Sequence, residues 1–344
     1  MKSPVIRVGI VGCGKIFPAH LDAINNNPTA YKLVAVCDSD RKVLARAVGD
    51  NSAVPFLGYD KMLSGMTGKM DMVVIATPNA LHYPQAVKAI KAGYDILVEK
   101  PVAFDKEKVM KIVSEAKRLR RKAYAVLQVR YNPSIAFLKE AIEEKLLGKI
   151  RLVSLTLRWQ RPKEYFLSWR GNIKIGGRIL YEVGIHYLDI IQWIFGLPKT
   201  LSTNTFRLKH KNINFEDTVF SDFIFENGAV GHLEVTLAAE PTNLECSISV
   251  IGENGFIKVG GLALNKIDCA EFLKNNKQAD KFKKELGVIV ETKPNNYGKY
   301  QGSSPNHPVL YREIAEGRGI SMGASARAID FIEKIYRAEN YLTK

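Results

Sequence analysis

Glu182 and His186 stand four residues apart in the segment LYEVGIHYLDIIQWIFG, residues 180–196. On a helix, side chains at that spacing share a face. A carboxylate beside an imidazole fixes the ring tautomer and raises its basicity, which suits a general base near neutral pH. Leu180, Val183, Tyr187, Ile190, Ile191 and Ile194 recur at three-to-four spacing, so the whole segment is expected to form one helix with a buried face. Alone, the pair is better explained by a surface ion pair, and the rest of the chain must decide. A second reactive group is Lys100, in Glu99-Lys100-Pro101 directly after the apolar run 94–98. A lysine before a proline at a strand end is held in place rather than left as a casual surface charge.

The elements that would position these groups begin at the N-terminus. VIRVGIV, residues 5–11, is a buried-strand pattern followed at once by Gly12-Cys13-Gly14, with a helix expected from near Lys15. Strand, glycine turn and helix point backbone N–H groups at a pyrophosphate. Phe17 stands where a third glycine is usual, so the fingerprint is incomplete. Residues 33–37 form a second strand ending at Asp38, placed to accept hydrogen bonds from an adenosine ribose. A carboxylate there repels a 2′-phosphate, so NAD is expected rather than NADP. Strands at 70–76, 94–98 and 124–129 alternate with helices, the last of them over 104–121, which implies a parallel sheet. Ligands bind outside the carboxyl ends of such strands. Thr77, Pro78, Asn79 and His82 lie at one of these ends and Glu99 with Lys100 at another, beside the expected nicotinamide position.

The character changes after residue 130. A helix over 133–147, a strand over 150–159 and strands over 217–225, 228–238, 245–252 and 255–259 are expected. Asn227-Gly228 marks a hairpin between two of them. The fold class is therefore an α/β Rossmann domain over 1–130 plus an α+β domain over 131–344, with a large, mainly antiparallel open sheet covered by helices on one face. Residues 270–305 are polar and read as an excursion. Helices are expected after Asn306 through Glu316 and over 325–342.

Composition narrows the function. Fifty Lys and Arg against 35 Asp and Glu give a net charge of +15, which favours anionic partners of some kind. No nucleic-acid motif accompanies the charge, and no apolar run is long enough to span a membrane. The four cysteines lie far apart without a C-x-x-C pair, which argues against a zinc site or a disulfide framework and fits a reducing cytoplasm. No metal is expected.

Taken together, VGIVGCGKI, ATPNALHYPQA, EKPVAFD and GGRILYEVGIHYLDII resemble the Gfo/Idh/MocA family of NAD(P)-dependent sugar and polyol oxidoreductases. That resemblance implies a Rossmann domain followed by an open-sheet domain that often mediates homodimers or homotetramers. It makes Lys100 the catalytic lysine and His186 the proton-transfer residue. Glu182 stands where the family commonly has Asp or Asn, so its role is open between orienting His186 and pairing with Lys100. It also implies that Gly12, Gly14, Lys15, Ile16, Asp38, Thr77, Pro78, Asn79, His82, Glu99, Lys100 and Gln128 face NAD, with Asn79 and His82 near the nicotinamide ribose. LQVRYNPSIAFLKEAI and RPKEYFLSWRGN further resemble the branch that oxidises the 3-hydroxyl of UDP-N-acetylglucosamine or its uronic acid in surface polysaccharide (lipopolysaccharide) biosynthesis. In that reading Arg161, Tyr165, Trp169, Arg170 and Asp189 lie near a nucleotide-linked sugar. The alternatives are a dehydrogenase of inositol, a free aldose or a keto-sugar, and a non-catalytic NAD-binding regulator. A nucleic-acid binder rests on charge alone.

Overall fold

The computed structural model describes residues 4–49, 52–273 and 305–341. The chain divides into two compact units, one of residues 1–127, 174–177 and 306–329, the other of 128–173, 178–305 and 330–344. The chain first crosses from one unit to the other between residues 127 and 128. Residues 306–329 are part of the first unit.

The sheet of the first unit contains β1 (Ile6–Val11), β2 (Tyr31–Cys37), β3 (Val54–Phe56), β4 (Met72–Ile75), β5 (Asp95–Val98) and β6 (Ala123–Ala125). Their order is β3-β2-β1-β4-β5-β6, and every pairing is parallel. This is the doubly wound order whose topological switch point lies between β1 and β4. The central strands end in apolar runs because helices cover both faces of such a sheet, and all four residues of β4 are buried. Five helices alternate with the strands: α1 (Phe17–Asn25), α2 (Arg41–Val48), α3 (Tyr59–Gly65), α4 (His82–Lys91) and α5 (Lys106–Arg118). Asp40 caps α2 by accepting from the N–H groups of Lys42 and Val43, and Asp105 caps α5 through Lys108 N–H. The second cap explains why α5 starts later than the periodicity predicts, since an Asx cap sits outside the helical φ/ψ region. The expected strand over 124–129 is shorter, because the backbone turns into a 3-10 segment at Gln128–Tyr131.

The second unit carries α6 (Pro133–Glu143), β7 (Ile150–Arg158), α7 (Lys163–Phe166), a π-helical turn at Leu180–Gly184 and α8 (Ile185–Phe195). Six strands follow: β8 (Pro198–Phe206), β9 (Thr218–Phe225), β10 (Val230–Thr236), β11 (Glu245–Gly252), β12 (Gly255–Gly260) and β13 (Lys266–Phe272). After α9 (His307–Ala315), in the first unit, and α10 (Met322–Arg337) comes β14 (Glu339–Tyr341). The sheet order is β13-β12-β11-β7-β10-β9-β8-β14, antiparallel except for β7 with β10 and β8 with β14. Gly228 takes φ +82° in the β9–β10 turn, as the Asn-Gly signal requires.

Three expectations need correction. The segment 180–196 is not one α-helix, because its first five residues wind as a π turn. The last helix stops at Arg337, and the chain then adds β14 to the sheet beside β8, two strands the periodicity missed. Arg178 explains the placement of β14, since its Nη1 and Nη2 both donate to the Glu339 carboxylate at 2.6 Å. The strand β13 was also missed. It occupies the start of the polar stretch expected over 270–305, most of which lies outside the described residues.

Candidate active site

In the first unit the glycine turn follows β1. Gly12 takes φ +92°, and a Cβ there would lie 2.5 Å from the Ala76 carbonyl, so only glycine lets the turn approach the end of β4. A Cβ on Gly14 would meet nothing within 4 Å. The turn is thus tight against the protein at Gly12 and open at Gly14, which fits a cofactor approaching the backbone there. Lys15 is exposed and Ile16 half-buried just before α1. Asp38, at the end of β2, accepts from Cys13 N–H through Oδ2 (2.8 Å) and from Asp40 N–H through Oδ1 (2.9 Å). These bonds aim the half-buried carboxylate beside the turn, where a ribose would lie. Burial, together with the Asp38 charge, pushes the Cys13 thiol up to about 12, so it carries no thiolate at neutral pH.

The two loops at the ends of β4 and β5 are stapled together by His82. Its Nε2 lies 2.7 Å from Thr77 O and its Nδ1 2.8 Å from Pro101 O. Burial pulls this ring below the ordinary histidine range, opposed by the two carbonyl bonds. The ring is buried with a carbonyl oxygen beside each nitrogen, and when neutral it donates to one of them at a time. Asn79 is buried too and donates to Gly176 O at 2.8 Å, and Thr77 Oγ1 donates to Gln85 Oε1 at 2.6 Å. Pro78 is half-buried between them. Lys100 is half-buried, with its N–H donating to Glu99 Oε2 at 3.2 Å. Glu99 itself is buried, its carboxylate lying against His20 and His307. It faces the interior of the first unit.

In the second unit His186 is buried in the first turn of α8, with Tyr187 packed edge-on against it. Glu182 lies in the π turn just before. There the winding closes on i→i+5, so the four-residue stacking of an α-helix does not carry over unchanged. Its Oε1 accepts from Tyr165 Oη (2.9 Å) and from Arg170 Nε (2.8 Å). Those partners hold Glu182 within an aromatic and guanidinium cluster. Arg170 stacks over Trp169 (4.2 Å) and Tyr165 (5.2 Å), and Arg161 stacks over Tyr165 (5.4 Å) and Trp159 (4.7 Å). Two guanidinium groups therefore flank one tyrosine ring. Arg161 Nε and Trp159 Nε1 are buried donors that meet no acceptor among the described residues.

Asp189 does not join that cluster. It is buried, and both oxygens are engaged by Arg130, with Gln192 Nε2 adding a bond to Oδ1 at 2.9 Å. The carboxylate is thereby neutralised inside the unit. Gln128 is buried at the head of the 3-10 segment. Sequence reasoning missed His20, His307 and Tyr311. The one available signal was a histidine among the apolar positions Phe17, Ala19, Ala23 and Ile24 of α1.

Residues 6–127 match the oxidoreductase family with an NAD-binding Rossmann fold, and residues 135–258 match the GFO/IDH/MocA C-terminal domain. The chain belongs to the Gfo/Idh/MocA oxidoreductase family. Within the Gfo/Idh/MocA family, it is similar to the WlbA dehydrogenase of Bordetella pertussis, solved in complex with NADH and UDP-GlcNAcA. That likeness has 30% identity and a TM-score of 0.86, covering 98% of this chain and 96% of the other. The WlbA dehydrogenase of Chromobacterium violaceum, in complex with the same two molecules, shares 29% identity at the same TM-score. Among curated relatives, D-glucoside 3-dehydrogenase of Escherichia coli is 24% identical over 69% of this chain and 72% of that protein. Inositol 2-dehydrogenase of Corynebacterium glutamicum is 25% identical over 75% of this chain and 74% of its own. This Gfo/Idh/MocA chain is an NAD-binding dehydrogenase of the sugar-alcohol type, and its first unit is the NAD-binding Rossmann domain.

Proposed function

We propose that the protein oxidises the 3-hydroxyl of a UDP-linked N-acetyl sugar, UDP-N-acetylglucosamine or its uronic acid, with NAD, in the assembly of a surface polysaccharide. The observation that carries this reading is the cluster of Arg161, Tyr165, Trp169 and Arg170. It offers flanking guanidinium groups and a buried, unmatched arginine donor, chemistry suited to a phosphate or carboxylate and wasteful for a neutral polyol. The likeness to the two WlbA dehydrogenases over nearly the whole chain supports it, since both were solved with UDP-GlcNAcA.

NAD, when bound against Gly12, Gly14, Lys15, Ile16 and Asp38, supplies the hydride acceptor. His186 takes the proton of the sugar hydroxyl as general base. Lys100, as a cation hydrogen-bonded to the same oxygen, stabilises the alkoxide character that develops there. Glu182 keeps Tyr165 and Arg170 in place beside the substrate. We infer a cytoplasmic enzyme, because the four cysteines are all free thiols; among the described residues no helix is long and apolar enough to cross a membrane.

A homo-oligomer is part of the same reading. Ile224, Val230, Leu152, Ile251 and Phe256 are directly paired in register across five neighbouring strands, β9-β10-β7-β11-β12. All five are between 36% and 48% exposed. A continuous apolar row on the open face of the sheet is what a second copy of this chain would cover.

A panel of NAD with UDP-N-acetylglucosamine, UDP-N-acetylglucosaminuronate, inositol and glucose, followed by NADH absorbance, tests the substrate. Turnover of a UDP-sugar with none of inositol supports the assignment; the reverse result replaces it with a free-polyol dehydrogenase. Light scattering after size exclusion tests the oligomer, with Leu152→Glu expected to yield monomer.

A further inference from the structure

Glu99 closes β5 with its carboxylate turned into the first unit. Oε2 accepts the backbone N–H of Lys100 at 3.2 Å. Oε1 lies 3.3 Å from His20 Nε2 and 3.5 Å from His307 Nε2, one ring from α1 and the other from the first residue of α9. The two rings meet edge to face at 5.2 Å, and all three side chains are buried. His20 Nδ1, on the far side of its ring, lies 2.9 Å from Tyr311 Oη. We propose that Glu99, held by His20, His307 and Tyr311, is the positioning residue for Lys100. This inference rests on the reading of Lys100 as the catalytic lysine.

The chemistry of the chain of contacts supports a definite direction. Burial alone would raise the Glu99 carboxyl, but the two imidazoles outweigh it and hold the group well below the ordinary carboxylate range. Burial pulls His20 below the usual histidine value, so at neutral pH the ring carries one proton. Only the Nε2–H tautomer turns that proton toward Glu99, at 3.3 Å and outside hydrogen-bond geometry, and it leaves Nδ1 as an acceptor for the Tyr311 hydroxyl. Tyr311 can supply this bond, because burial pushes its phenol well above the ordinary value and keeps it a donor. Tyr311 thus selects the His20 tautomer, His20 and His307 hold the carboxylate, and the carboxylate pins the Lys100 N–H. On the other side of Lys100, the Pro101 carbonyl meets His82 Nδ1 at 2.8 Å. The lysine's backbone is therefore fixed on both flanks, which a side chain needs if its ammonium is to meet a reacting oxygen repeatedly in one place.

The same three residues offer atoms within 4.8 Å of one another, a spacing a cation would also accept. Against that, His307 Nδ1 is buried and meets no hydrogen-bond partner among the described residues, whereas metal-ligating histidines normally donate their second N–H to an acceptor.

Glu99→Gln keeps an acceptor for Lys100 N–H and removes the charge that the imidazoles hold. Tyr311→Phe removes one oxygen and lets the His20 proton move to Nδ1. Both are expected to lower kcat roughly 10- to 100-fold with KM for NAD unchanged. Both should also displace the Lys100 13Cε NMR resonance of the cofactor-free protein, assigned by its loss in Lys100→Arg. A folded Glu99→Gln protein with parental kcat and an unmoved Lys100 resonance overturns the proposal. So does stoichiometric zinc in the purified protein that His307→Ala abolishes. Full turnover by Lys100→Arg would defeat the catalytic-lysine reading instead, and the resonance would still report whether Glu99 positions the residue.

Discussion

Arg130 and Asp189 meet as a two-armed ion pair, Nε donating to Oδ2 and Nη2 to Oδ1, each at 2.7 Å, with side chains only 9% and 1% exposed. The Arg130 guanidinium also lies 4.6 Å over the Trp193 ring. The pair ties the 3-10 segment at Gln128–Tyr131 to α8, the helix that carries His186. Removing one partner strands the other charge in the interior. Arg130→Met is therefore expected to cost about 3–5 kcal/mol of stability, measured by urea unfolding. Arg130→Met combined with Asp189→Leu should recover much of that loss, because neither charge then remains buried. A single variant as stable as the parent would mean that solvent reaches the pair.

Lys100→Met and His186→Ala remove the two groups assigned to the reacting hydroxyl. Each is expected to lower kcat roughly 100- to 10,000-fold while NAD still binds, as followed by quenching of protein fluorescence. Turnover within a few-fold of the parent in either variant would remove that residue from the mechanism.

Gly12 and Gly14 should respond differently to the same added methyl. At Gly12 the new Cβ would collide with the Ala76 carbonyl in a backbone conformation unsuited to alanine, so Gly12→Ala is expected to lower both the melting temperature and NAD affinity. At Gly14 the methyl meets no protein atom. Gly14→Ala should therefore melt like the parent and lose affinity for NAD only. Unchanged NAD binding by Gly14→Ala in titration calorimetry would show that the cofactor does not approach the turn there.

Stability is expected to fall on the acid side in two stages. Burial holds His20, His82 and His210 below their ordinary value of 6.5 in the folded state. The unfolded chain regains that value, so it binds more protons than the native protein as the pH drops below it. The contribution is fully present above 6.5 and is lost as pH falls from there through the folded values. Glu99 adds a lower window, present above 4.5 and lost as pH falls below it, because its folded carboxyl titrates well below 4.5. Glu216 opposes this, since burial raises its carboxyl against the pull of Arg178 and Tyr336; its contribution is present below 4.5 and fades as pH rises through its folded value. Scanning calorimetry should find a melting temperature that is level near about pH 8 and declines below about pH 6. A flat profile down to about pH 5 would contradict the buried histidines.

The sequence by itself determined the strand-turn-helix start, the parallel alternation through β5, and the identities of Lys100, His186, Gly12, Gly14 and Asp38 as candidates. These are legible because a buried parallel strand must be a short apolar run, and a glycine turn or an acid at a strand end depends on neighbours close in the chain. What only the tertiary structure decided is how those residues are held. Glu182 was paired in the sequence with His186, yet its carboxylate accepts from Tyr165 and Arg170, because a π turn intervenes and no periodicity announces one. Asp189 looked available and is neutralised by Arg130 from 59 residues away. β14 pairs with β8, and its Glu339 is held by Arg178, 161 residues earlier in the chain. The anion behind Lys100 is set by His307, 208 residues beyond Glu99. Side-chain type and local spacing identify the groups that can do chemistry. Their charge states and orientations follow from burial and from partners distant in the chain, which only the folded arrangement brings within a few ångströms.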